Sequence, residues 1–155
     1  WHHKRRLCEH PLYRMITTLI ETPRQRAKAL IAALAVQAPR VVAEAGNPEA
    51  QYRLAIMAQN GLGMHENPLL AYRYMKSAAE AGVGLAQHGL GFMYLEGECT
   101  DKNPEKAVQW FRKAAEQGLA GSQTTLAMLY EEGRGVPKDQ DEANRWYRLA
   151  GFEGR

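Results

Sequence analysis

The sequence has little cysteine, no long apolar run and no catalytic signature, and each absence narrows what the chain can be. Its two cysteines, Cys8 and Cys99, lie far apart in 155 residues. Neither sits in a Cys-x-x-Cys pair, so zinc-ribbon and thioredoxin-type chemistry are unsupported, and lone buried thiols are favoured over a bridge. No stretch of about eighteen apolar residues exists, so no segment is expected to span a membrane. The basic residues 24–28 followed by the apolar run 29–36 have the look of a signal peptide, but the run is short and internal. An amphipathic helix explains it better. Zincin, Walker-type and nucleophile-elbow patterns are absent. Of the histidines His2, His3, His10, His65 and His88, no two have metal-ligand spacing on a helix face. No metal, cofactor or catalytic residue is therefore expected. Ser122, Thr124 and Thr125 have no histidine near them in sequence, although a fold can assemble distant partners.

Apolar residues at 45% and charged residues at 24% are ordinary globular values, which argues against disorder. The net charge of +3 is unevenly spread. Residues 1–45 hold eight Lys/Arg against three Glu, whereas residues 46–155 hold twelve Lys/Arg against fourteen Asp/Glu. The basic part is thus confined to one end, where Lys4, Arg5 and Arg6 read as a solvated segment, and no nucleic-acid partner is expected.

What is present is a repeat. Gly46, Gly82, Gly118 and Gly154 stand 36 residues apart, and without any gap other columns fall into register. Leu54, Leu90 and Leu126 match, as do Ala55, Gly91 and Ala127. Gly61, Gly97 and Gly133 align, as do Ala71, Ala107 and Ala143, then Tyr74, Trp110 and Trp146, then Ala78, Ala114 and Ala150. Each unit resolves into two helices. The first is expected over 48–60, 84–96 and 120–132, closed by the glycine at 61, 97 or 133. The second starts at Asn67-Pro68 and Asn103-Pro104, with Asn as N-cap and Pro at N1, and at Asp139 with Glu142 in capping-box spacing. The small residues on the second helix allow close helix pairing, and the aromatic column is expected to fill the gap between units.

The pattern Ala86-x-x-x-Leu90-Gly91-x-x-Tyr94-x-x-Gly97, then Lys106-Ala107-x-x-Trp110-Phe111-x-Lys113-Ala114-Ala115-x-x-Gly118, resembles the Sel-one-like repeat family of tetratricopeptide-like solenoids. The loop Gly133-Arg134-Gly135-Val136-Pro137-Lys138-Asp139 fits the same family. The resemblance implies an all-α, right-handed α/α superhelix of three helix-turn-helix repeats (46–82, 83–118 and 119–154). Residues 1–45 read as a basic helical cap, with a helix start at Thr22-Pro23 and a break or restart at Pro39. Two departures stand out: Ala58 replaces the family's tyrosine in the first unit, and Cys99 replaces the second loop glycine in the middle one. The family's cysteine-rich members with β-lactamase activity have paired cysteines that this chain lacks, so that activity does not transfer.

The resemblance also implies function: a non-catalytic scaffold or adaptor that holds a protein or extended peptide in its concave groove. The alternative is an inhibitor or immunity-type protein that occludes an enzyme. Bacterial members include both kinds, often in the cell envelope. The first helices should line the groove, and their positions left over from packing form three rows: Ile56, Phe92 and Met128; Tyr52, His88 and Thr124; Gln59, Leu95 and Glu131. These nine are the expected partner-binding residues, with Phe92 the central anchor. Trp146 and Phe152 are expected to be partly bare beyond the last unit, where a second copy of the chain is one candidate contact.

Overall fold

The computed structural model describes residues 22–27, 40–41 and 43–152, in two compact units that divide between Ala38 and Pro39. In the first unit Thr22 opens a helix over 23–27. Its hydroxyl accepts from Gln25 N at 3.2 Å while Gln25 Oε1 accepts from Thr22 N at 3.0 Å, a reciprocal capping box. The apolar stripe expected after Ala27, and Cys8, lie outside the described residues. The second unit begins with helical backbone at 40–41 and 43–44, whose Ala43 is buried.

Six helices follow, in three pairs: α1 (Pro48–Asn60) and α2 (Pro68–Glu80), α3 (Gly84–Glu96) and α4 (Pro104–Glu116), α5 (Ala120–Glu132) and α6 (Gln140–Leu149). The first helices have the bounds that the glycine column predicts. Gly61, Gly97 and Gly133 adopt φ of 68°, 70° and 67°, and each donates its N–H to the carbonyl four residues back, at Met57, Met93 and Leu129. A β-carbon is disfavoured at such a backbone angle, which is why the column holds glycine. At the second helices Asn67 Oδ1 accepts from Leu70 N, Asn103 Oδ1 from Lys106 N and Asp139 Oδ1 from Glu142 N, each at 3.1 Å.

Extensive packing runs only between consecutive helices, from α1 against α2 to α5 against α6. The chain is therefore an all-α repeat solenoid in which each unit rests on its neighbour. Ala71, Ala107 and Ala143 are wholly buried, as are Ala78 and Ala114, so the alanine columns are the close-contact seams. The aromatic column is less uniform: Tyr74 and Trp110 are half-buried against the core, and Trp146 is buried. Trp146 thus corrects the expectation of a partly bare indole: it belongs to the main core cluster, and the Arg145 guanidinium lies 4.6 Å from the ring centroid. Phe152 remains exposed, its ring edge-on to Tyr147 at 5.9 Å.

One column shows packing exchange between helices. Met75, Phe111 and Tyr147 share a register position on the second helices, and all three are buried. Phe111 is the bulkiest fully buried side chain among the described residues, and its ring occupies the space where Gly91 lacks a β-carbon. A β-carbon at 91 would stand 2.9 Å from Phe111 Cε1 and Cζ. The middle unit has glycine at this register position, where the first unit combines Ala55 with Met75 and the third combines Ala127 with Tyr147.

Candidate functional site

Three long-range hydrogen bonds place the first helices of successive units side by side. Gln59 Nε2 on α1 donates to Glu98 Oε1 just beyond α3 at 3.0 Å. His88 Nδ1 on α3 and Ser122 Oγ on α5 lie 2.6 Å apart. Arg134, after α5, donates to Leu95 O on α3 at 3.1 Å. The face these helices share carries the candidate residues.

The first row is open at two of its three positions: Phe92 is 38% exposed and Met128 46%, while Ile56 is half-buried against the core. In the second row Tyr52, His88 and Thr124 are half-buried, and Thr124 Oγ1 donates back to Ala120 O at 2.9 Å. The third row does not form an open strip. Leu95 is buried at 4% exposure and belongs to the main core cluster, which corrects its placement among the binding residues. The physical reason is that α3 lies in the middle of the stack and buries Leu90, Gly91, Met93, Tyr94 and Leu95 at once, far more than one helical stripe. Gln59 and Glu131 are half-buried and engaged, Glu131 accepting from Tyr147 Oη at 2.8 Å. Sequence reading missed Leu85, 52% exposed and seven residues before Phe92, because its column holds Glu49 and Gly121 and so shows no apolar pattern.

Phe92 is held in place. Its ring stands edge-on to His88 and to Phe111, with centroids 4.9 Å apart in each case, and His88 lies 5.5 Å from Phe111. An exposed aromatic braced on two sides loses little freedom when a partner covers it. Burial pushes the His88 imidazole below its ordinary pKa, so the centre of the strip is uncharged at neutral pH.

The fold does assemble a serine and a histidine distant in sequence, at Ser122 and His88. Ser122 is wholly buried, so no substrate carbonyl reaches its hydroxyl, and the pair ties α3 to α5. A second set of buried polar residues also escaped the sequence reading: Gln51, Gln87 and Gln123, identical at 36-residue spacing. Each side-chain amide donates to a carbonyl eight residues earlier, at Ala43, Ala79 and Ala115, over 3.3, 3.2 and 3.1 Å. Gln117 Nε2 adds bonds to Gly82 O at 3.1 Å and Gln87 Oε1 at 2.8 Å. This ladder is structural: it stitches the start of each first helix to the element before it. Among the described residues, no three His, Cys, Asp or Glu side chains group as a metal site would require, and no helix is long and apolar enough to cross a membrane.

A tandem array of paired helices, stitched at each joint, defines a helical-repeat protein. The Sel1 repeat model matches residues 48–83, 84–119 and 120–151, and the chain belongs to the Sel1 repeat family. Sel1 repeat proteins generally mediate protein–protein interactions and are generally non-catalytic. Among solved structures, the chain is similar to a Sel1 repeat protein from Oxalobacter formigenes, with a TM-score of 0.66 and 40% identity, over 68% of this chain and 42% of that one. It is also similar to c5321, a protective antigen present in uropathogenic Escherichia coli strains and displaying an SLR fold. There the TM-score is 0.72 and the identity 38%, over 76% of this chain and 25% of that one. Cysteine rich protein B of Helicobacter pylori shares the fold at a TM-score of 0.56 and 22% identity, over 85% of this chain and 93% of that one. The chain thus spans less than half the length of the first two relatives. No curated protein matches it.

Proposed function

We propose that the chain is an adaptor or scaffold that holds a protein or extended peptide against the face formed by α1, α3 and α5. The observation that supports this reading is the contrast between columns. The alanine and leucine packing columns are buried, whereas Phe92 and Met128 open to solvent at one register position on neighbouring helices. Ile56, Tyr52, His88 and Thr124 flank them, and Phe92 is the anchor. Large apolar side chains exposed in register along a rigid face are what a partner's hot spot requires.

Affinity capture from the source organism with the wild-type chain and with Phe92→Ser/Met128→Ser tests the proposal. The expected result is one specific partner with wild type and loss of that partner with the variant, whose far-UV spectrum is unchanged because both residues lie outside the core. Equal capture by both proteins would defeat it. A captured enzyme that is silenced on binding would assign the inhibitor role to the same face.

A further inference from the structure

The first helices break a local rule that the later second helices obey. A helix C-terminus carries partial negative charge and favours Lys or Arg in its last turn. Helices α4 and α6 comply with Lys113 and Arg148. None of α1, α3 and α5 has a basic residue in its last turn, and α3 and α5 end on Glu96 and Glu132. Helices α2 and α4 also end on glutamate, at Glu80 and Glu116, but each has a lysine, Lys76 or Lys113, three or four residues before it, which Glu96 and Glu132 lack. Glu96 and Glu132 are exposed, and each follows Phe92 or Met128 by four residues, which puts it on the same helix face one turn along. The three first helices together contain four Glu, one Arg and no Lys. Of the cations in the adjoining loops, Arg134 is committed to Leu95 O, and Lys102 and Lys138 follow the glycine turns. The local field is negative enough that Glu98 and Glu66 add to burial in pushing the Cys99 thiol upward.

From this charge placement, and resting on the proposed function, we infer that the occupant of the strip is a basic, apolar segment of a partner protein. Its aromatic or aliphatic side chains cover Phe92 and Met128, and its Lys or Arg side chains reach Glu96 and Glu132. The partner's cations supply at these helix ends the positive charge that α3 and α5 themselves withhold.

A random twelve-residue peptide library displayed on phage and selected against the wild-type chain tests this. Binders that fail on Phe92→Ser are made synthetically with a fluorescent label and measured by anisotropy. They should be enriched in Lys or Arg beside Leu, Phe or Trp. Their affinity should fall about 3- to 10-fold in Glu96→Gln/Glu132→Gln, and more steeply with salt for wild type than for that variant. Glu80→Gln/Glu116→Gln removes the same charge from exposed positions on second helices and should leave affinity unchanged. Binders that need Phe92 but are neutral or acidic, or that bind the Glu96/Glu132 variant as tightly, would overturn the inference and leave the docking face standing. A selection that yields no Phe92-dependent binder would overturn both.

Discussion

Replacing Gly91 by alanine sets two opposing effects against each other at one atom. In an exposed helix interior, glycine to alanine stabilises by about 1 kcal/mol. At 91 the new β-carbon would meet Phe111 Cε1 and Cζ at 2.9 Å and Cδ1 at 3.0 Å. Phe111 cannot swing aside: it is fully buried, with Phe92 and His88 edge-on to it at 4.9 and 5.5 Å. Overpacking a rigid core ring costs about 1–3 kcal/mol. The clash therefore offsets or outweighs propensity, and Gly91→Ala should lose up to about 2 kcal/mol, a fall in Tm of up to roughly 8 °C for a body of this size. The first unit supplies the rescue, since Ala55 shares its unit with Met75. Gly91→Ala/Phe111→Met should be more stable than the two single losses add up to, with a coupling of about 1 kcal/mol. Thermal and urea unfolding of the four proteins measure both quantities. A Gly91→Ala protein that melts above wild type, or single effects that simply add, would refute the argument that the glycine exists to admit the phenylalanine.

Gln87→Ala removes the amide that reaches Ala79 O and strands Gln117 Nε2's bond to Gln87, so urea unfolding should show a loss of about 1–2 kcal/mol; a neutral change would show the ladder to be incidental. Cys99 is the only non-glycine residue with positive φ among those described, at 66°, in the column of Gly63 and Gly135. Cys99→Gly should therefore stabilise by about 0.5–1 kcal/mol in the same assay, and a loss would mean that packing of the half-buried thiol outweighs backbone strain. Burial depresses the His88 pKa, so below about pH 6.5 the unfolded chain takes up a proton that the folded chain resists. Its contribution to stability is complete above that pH and declines as pH falls toward the folded-state value. His88→Gln should remove that part of the pH dependence, and an unchanged slope of stability between pH 5 and 7 would contradict the assignment.

The helix bounds were legible because glycine and the Asn-Pro pair mark ends by backbone chemistry, which does not depend on neighbours. Exposure was legible only in part. Phe92 and Met128 stood out once the packing columns were removed, but Leu95 did not declare its burial, because a helix in mid-stack packs on several sides and loses its single stripe. Trp146 was misjudged for a related reason: its indole packs into the main core cluster, with Arg145 of its own helix over the ring. Gln51, Gln87 and Gln123 were visible as an identical column, yet polarity suggests a solvated face, and only the carbonyls at Ala43, Ala79 and Ala115 explain their burial. The His88–Ser122 pair spans 34 residues and two units, beyond what spacing on one helix can reveal.

The most direct test of the binding face is a photo-crosslinking amino acid placed in turn at positions 92, 128 and 113, with irradiation in cells of the source organism. Position 113 is an exposed lysine on a second helix and serves as the control. The account predicts the same crosslinked polypeptide from 92 and 128 and none from 113. Crosslinks that arise from 113 alone, or equally from all three sites, would contradict it.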